Sequence, residues 1–334
     1  MKNKTILITG AAGFVGSHAI EEVLTNTDWN IVALCRLTCI GDMRRLWDSL
    51  HVQKFHNRLN IVYHDLKFDL SPSLVETIGK IDYVAHIAAN SHVDRSISHP
   101  KQFFEDNVIG TVNLLEWYRN NCPEAIFINY LTDEVFGPAP IDYNYKEDDR
   151  WRPSNPYSAS KCGQGAAGIA YNITYGLPII TTYTMNIFGE RQNKEKLIAK
   201  SIYNIYHNIP IPIHAKINDK DEIEYVGERH WLHARNSANA LLFLFNNGVP
   251  GEHYNIVGFD HFYNDEIVNK IGSIMNKKPI LEYVDFHKTR PGHDRKYGLD
   301  GSKLLNMGWK PPMDFENSMK KTIQWTMSQW KDAK

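Results

Sequence analysis

Along the first half of the chain, short β-prone apolar runs alternate with longer stretches whose apolar residues recur every three or four positions, a pattern of strands followed by helices. Residues 5–9 form the first run, which passes straight into Gly10-Ala11-Ala12-Gly13-Phe14-Val15-Gly16 before helical spacing sets in over 17–24. Further strands are predicted over 30–35, 60–63, 82–89 and 178–185, with another beginning at 126, and helices over 100–121 and 155–175. Strands that alternate with helices imply a parallel sheet.

Beyond residue 186 the alternation lapses. Short strands and charged turns occupy 211–228, followed by a helix over 236–246, a strand over 254–257, a helix over 264–275 and a closing helix over 315–330. The fold class this predicts is α/β, a Rossmann-type doubly wound parallel sheet with a smaller C-terminal substrate-binding lobe. Residues 1–185 would form the dinucleotide domain, and 186–334 mainly the lobe, with some segments returning to pack on the first domain. No repeat or flexible linker separates the two, so a ligand is expected between them.

Composition narrows the partners. Of 334 residues 43% are hydrophobic and 22% charged, with a formal charge of -1, values that argue against a nucleic-acid binder reliant on bulk electrostatics. The four cysteines, Cys35, Cys39, Cys122 and Cys162, have no CxxC spacing, so neither a disulfide framework nor a metal site is indicated. The N-terminal apolar run is too short for a signal peptide, and no stretch reaches the roughly 18 apolar residues of a membrane span. The expectation is a reduced, cytoplasmic protein with a small-molecule partner, no nucleic acid and no membrane.

The candidate chemistry gathers where predicted strands end. Gly10, Gly13 and Gly16, with Phe14 and Val15 between them, form a loop through which backbone can approach a dinucleotide pyrophosphate at a helix N-terminus. Cys35 and Arg36 stand at the end of the second strand, where such folds usually place an acid on the adenosine ribose. A guanidinium there suits a 2′-phosphate, so NAD and NADP both stay open. Asp65, followed by Leu66, is placed to meet the adenine, and the small residues Ala88 and Ala89 let a cofactor lie against the backbone. The polar cluster Asn90-Ser91-His92-Val93-Asp94-Arg95 then reads as a functional loop.

Two stretches point to catalysis. Polarity rises abruptly after the run at 126–128, ending in Thr132-Asp133-Glu134; adjacent carboxylates at a buried strand's end are costly unless a ligand uses them. Downstream, Tyr157 and Lys161 lie four apart on one helix face, an arrangement in which an ammonium lowers the phenol's pKa.

With these residues in place, the chain resembles the extended short-chain dehydrogenases/reductases, and within them the nucleotide-sugar 4,6-dehydratases of the dTDP-glucose type. AANSHVDRSI, LTDEVFG, NPYSASK and RPGHDRKYGLDGSK are similar to that family's motifs nearly end to end. The resemblance implies that Tyr157, aided by Lys161 and Thr132, is the base for C4 oxidation. It also implies that Glu134 removes the C5 proton and Asp133 protonates the departing C6 hydroxyl. Asn186, Arg229 and Arg290 match positions that contact the nucleotide diphosphate, with Ser91, His92 and His293 nearby. A recycled NAD or NADP, a nucleotide-diphosphate hexose (dTDP- or UDP-glucose) and a homodimer through the helices at 100–121 and 155–175 follow from the same resemblance. Leu131, Cys35 and Ile187-Phe188 depart from the pattern. A nucleotide-sugar 4-epimerase would need only the Tyr, Lys and cofactor, and the pair Asp133-Glu134 counts against it; the other alternative is a non-catalytic NAD(P)-binding scaffold.

Overall fold

The structure, a computed structural model, describes residues 3–36, 41–285 and 295–331. Its strands are β1 (Thr5–Thr9), β2 (Asn30–Cys35), β3 (Leu59–Tyr63), β4 (Tyr83–His86), β5 (Ile126–Thr132), β6 (Ile179–Thr184) and β7 (Asn186–Phe188). They continue with β8 (Ile211–Ile217), β9 (Ile223–Val226), β10 (Glu228–His233), β11 (His253–Ile256), β12 (Asp260–Tyr263) and β13 (Leu281–Asp285). The helices that matter here are α1 (Phe14–Asn26), α2 (Gly110–Asn121), α3 (Pro156–Tyr175), α4 (Leu197–His207), α5 (Ala234–Asn247), α6 (Asn264–Ile274) and α7 (Phe315–Lys331).

Seven strands form the main sheet in the order β3-β2-β1-β4-β5-β6-β11, every neighbour parallel. The pleat explains why β1 is apolar throughout: Ile6 and Ile8 face α1 and α5, while Leu7 faces the layer containing α2. The order reverses between β1 and β4, opening a crevice at the carboxyl ends of the strands. This is the doubly wound α/β sheet the strand–helix alternation predicts.

The C-terminal half contributes two three-stranded sheets, β12-β10-β7 and β13-β8-β9. Their core includes Phe188, Ile213, Ile267 and Met319, together with Ile198, Ile202 and Ile205, which recur along one face of α4. Two C-terminal elements return to the main sheet: β11 extends it beside β6, and α5 packs on α1.

One predicted strand is cut short and one predicted helix is interrupted. The strand predicted over 82–89 stops at His86, because the Ala88 amide turns to donate to Thr9 Oγ1 at 3.0 Å and the chain crosses the glycine loop. The continuous helix predicted over 100–121 is interrupted by one turn of π-helix, Glu105–Ile109, between Pro100–Phe104 and α2. That turn directs Asp106 and Asn107 into the site, a frequent use of such widened turns.

Candidate active site

The glycine loop is shaped to take a dinucleotide. Gly10 has φ +66°, and a Cβ there would lie 2.8 Å from Ala88 Cα; a Cβ on Gly16 would lie 2.2 Å from the Gly10 carbonyl oxygen. Helix α1 begins after Gly13 without a side-chain cap, so its first N–H groups are directed at the crevice, with Phe14 and Val15 half-buried beside them. These residues fit the pyrophosphate of a nicotinamide dinucleotide. Thr9 Oγ1, His86 and Thr111 form a buried relay beneath the loop, with contacts of 2.9 and 2.8 Å. Burial and the Lys161 charge pull the His86 pKa down to about 3, so its ring is a neutral strut.

At the adenosine end, Cys35 is buried and its thiol is pushed up to about 11 by burial, so it remains a neutral thiol. Arg36 donates to both oxygens of Asp65 at 3.2 Å and, through both terminal nitrogens, to Asp106 at 2.7 and 3.2 Å. Leu66 is buried, its carbonyl accepting from Asn113 at 2.8 Å. Ala88 is half-buried and Ala89 exposed at the crevice edge.

The catalytic candidates converge where β5 ends and α3 begins. After Thr132 the chain makes a tight turn, Asp133–Phe136, so the two acids leave the strand in different environments. Asp133 is 4% exposed: its Oδ1 accepts from Thr132 Oγ1 at 2.9 Å, and its Oδ2 is buried with no hydrogen-bond partner. Burial first, and the Glu134 charge second, push its carboxyl up to about 7. Glu134 is half-buried, and its Oε2 accepts from Asn155 Nδ2 at 3.1 Å.

Asn155 therefore serves twice, since its Oδ1 also caps α3 by accepting from the Ser158 amide at 2.9 Å. The cap is legible in the sequence, but the link to Glu134, 21 residues away, arises only from the tertiary fold.

Tyr157 and Lys161 lie on the first turns of α3, both buried. Phe103 packs edge-on against the phenol ring, with centroids 6.3 Å apart. The reading in which Lys161 lowers the phenol's pKa needs correcting. Lys161 Nζ donates to the Tyr130 carbonyl at 2.7 Å and to Gln164 Oε1 at 2.6 Å, and burial pulls its own pKa down to about 7. The Tyr157 phenol is pushed upward, chiefly by burial and then by Glu134, with Thr132 opposing. Asn107 was not singled out from the sequence, yet it ties the site together: it accepts from the Asn90 amide at 2.7 Å and donates to Asn90 O at 3.0 Å and Ser160 Oγ at 2.8 Å.

The remaining candidates surround this centre. Ser91 is exposed; His92 accepts from the Arg95 amide and approaches Glu195 at 3.3 Å, pinning the loop after β4 to the segment before α4. Asn186 has its Nδ2 buried without a hydrogen-bond partner. Arg229 is buried over the Tyr297 ring, its Nη1 donating to Glu228 O and Arg295 O at 2.7 Å. Arg290 and His293 lie outside the described residues. Leu131, a departure in the motif, is a core residue facing Gly165 of α3.

Residues 7–322 match the family model described as GDP-mannose 4,6 dehydratase. The chain belongs to this dehydratase family. Among its relatives, a dTDP-glucose 4,6-dehydratase of Shigella flexneri is 34% identical, the match covering 97% of this chain and 92% of that one. One from Salmonella typhimurium is 35% identical over 97% and 94%. The crystal structure of DesIV, a dTDP-glucose 4,6-dehydratase from Streptomyces venezuelae solved with NAD bound, superposes with a TM-score of 0.86 at 28% identity over 98% of each chain. A UDP-glucose 4-epimerase from Thermus thermophilus shares the fold, with a TM-score of 0.83 at 22% identity over 97% of this chain and 99% of that one. Family membership makes the chain an enzyme of the hydro-lyase class. Among the described residues no helix is long and apolar enough to cross a membrane.

Proposed function

We propose that this hydro-lyase converts a nucleoside-diphosphate glucose, dTDP-glucose first and UDP-glucose second, into the 4-keto-6-deoxy sugar as an early step of deoxysugar synthesis. One observation carries the reading: a buried carboxyl poised near neutrality, with one oxygen unpartnered, stands next to a second carboxyl held by an amide. An epimerase has no use for that pair. An elimination needs one group that gives a proton and another that takes one.

A dinucleotide held by the loop of Gly10, Gly13 and Gly16 would supply hydride acceptance from C4 and its return at C6, so the overall reaction would show no net redox change. Tyr157 Oη takes the C4 hydroxyl proton, with Thr132 favouring the phenolate, while Lys161 holds the strand end through the Tyr130 carbonyl. The C4 ketone acidifies the C5 hydrogen, and Glu134 removes it. Asp133 delivers its proton to the C6 hydroxyl, which departs as water; C5 is then reprotonated from Glu134. Asn186, Arg229 and Arg290 meet the diphosphate in this reading, with Ser91, His92 and His293 as further substrate-site residues.

The decisive experiment incubates the purified protein with dTDP-glucose and UDP-glucose in separate deuterated-water reactions and follows products by mass spectrometry. Loss of one water with one solvent deuteron retained is expected, faster with dTDP-glucose. An unchanged mass with a C4 epimer would sink the proposal.

The enzyme is further proposed to be a homodimer joined through 100–121 and α3. Phe104, Ile109 and Ile173 expose apolar surface along these segments. Gel filtration is expected to give a two-chain species at micromolar concentration, and elution as a single chain would refute it.

A further inference from the structure

From the geometry at the end of β2 we propose that Asp106, acting through Arg36 together with Asp65, makes this protein select NAD over NADP. The inference rests on the reading of the glycine loop as a dinucleotide site. In doubly wound folds the end of β2 meets the adenosine ribose, where an acid favours the free 2′-hydroxyl and an unpaired arginine favours a 2′-phosphate. Cys35 supplies no acid here, and Arg36 taken alone points to NADP.

The structure reverses that implication. The guanidinium is clasped between two carboxylates, bidentate to Asp106 on the π-turn and bridging both oxygens of Asp65. Asp106 cannot swing away: its side chain is 4% exposed, and Asn90 Nδ2 lies 3.4 Å from its second oxygen. Lys67 Nζ stands 3.7 Å from Asp65, so the cluster of two cations and two anions carries no surplus positive charge for a dianionic phosphate. A phosphate entering beside Arg36 meets the two carboxylates at close range, a like-charge contact that weakens binding steeply. The acid missing from β2 is thus supplied by a helix turn 70 residues further along the chain, brought in across the site.

The test measures cofactor binding without any sugar, so its outcome is independent of whether the dehydration reading holds. After any resident dinucleotide has been exchanged out, NAD+ and NADP+ are titrated calorimetrically into wild type, Asp106→Asn and Asp65→Asn. Wild type is expected to bind NAD+ at least about 100-fold more tightly, since like-charge juxtaposition at this distance costs several tenfold steps. Asp106→Asn is expected to narrow that ratio at least tenfold by tightening NADP+. If Asp106→Asn does not fold, Asp65→Asn carries the test, because that side chain is 27% exposed. A wild type that binds NADP+ as tightly as NAD+, or folded variants whose ratio equals that of wild type, overturns the proposal.

Discussion

Replacing Glu134 by glutamine is expected to abolish exchange of the substrate's C5 hydrogen with solvent while leaving cofactor affinity unchanged. Glutamine keeps the shape and can still accept from Asn155 Nδ2 through its amide oxygen, so the turn after β5 should hold its geometry. What disappears is a basic oxygen. Losing a positioned base typically costs about 100- to 10,000-fold in the proton-transfer step, and turnover should fall accordingly. Oxidation at C4 should survive, seen as reduced-cofactor absorbance on adding substrate. The variant also removes the second-largest influence that raises Asp133 and the largest charge that raises the Tyr157 phenol. Both groups should therefore titrate lower, and C4 oxidation should extend to lower pH. The check uses substrate deuterated at C5: retention of the label alongside formation of reduced cofactor fits the assignment, whereas washout at the wild-type rate would remove Glu134 from the mechanism.

How much of this centre can be read without coordinates depends on how local each contact is. The strand–glycine–helix unit is legible because its logic fits within residues 5–24, where periodicity and glycine spacing speak directly. Tyr157 and Lys161 are legible for the same reason, four apart on one helix. What their neighbours do to them is not. The expectation that Lys161 lowers the phenol's pKa treats the pair as isolated, yet the ammonium bonds to Tyr130 O and Gln164 Oε1 while burial shifts both groups. Arg36 shows the same limit: its partners lie 29 and 70 residues away. The second of these sits on a π-turn whose residues have ordinary helical spacing, and widening a helix by one residue leaves no mark in a pattern of apolar positions. β11 likewise reads as a strand, but not as one that extends the main sheet.

Replacing Asp133 by asparagine is expected to trade activity for stability, with pH deciding the size of the gain. The wild-type carboxyl moves from 3.8 up to about 7 on folding, so the folded state favours its neutral form. The stability this contributes is fully present below pH 4 and is lost as pH rises through 7, because ionising a buried acid beside Glu134 then opposes folding. Asparagine has the same shape and no charge to bury. The difference in unfolding free energy between variant and wild type should therefore grow from pH 5 to pH 8 by on the order of 3 kcal/mol, at 1.4 kcal/mol per pKa unit. The unpartnered Oδ2 position is a cost at both pH values and cancels in the comparison. Denaturant titrations of both proteins at the two pH values measure it. The activity side of the trade follows from the same proton: without a donor for the C6 hydroxyl, dehydration should fall at least about 100-fold, and the alkaline limb of the wild-type rate profile near pH 7 should vanish with it. A stability gap that stays constant from pH 5 to pH 8 would mean that Asp133 is ionised throughout, and an ionised carboxylate has no proton to give the leaving group.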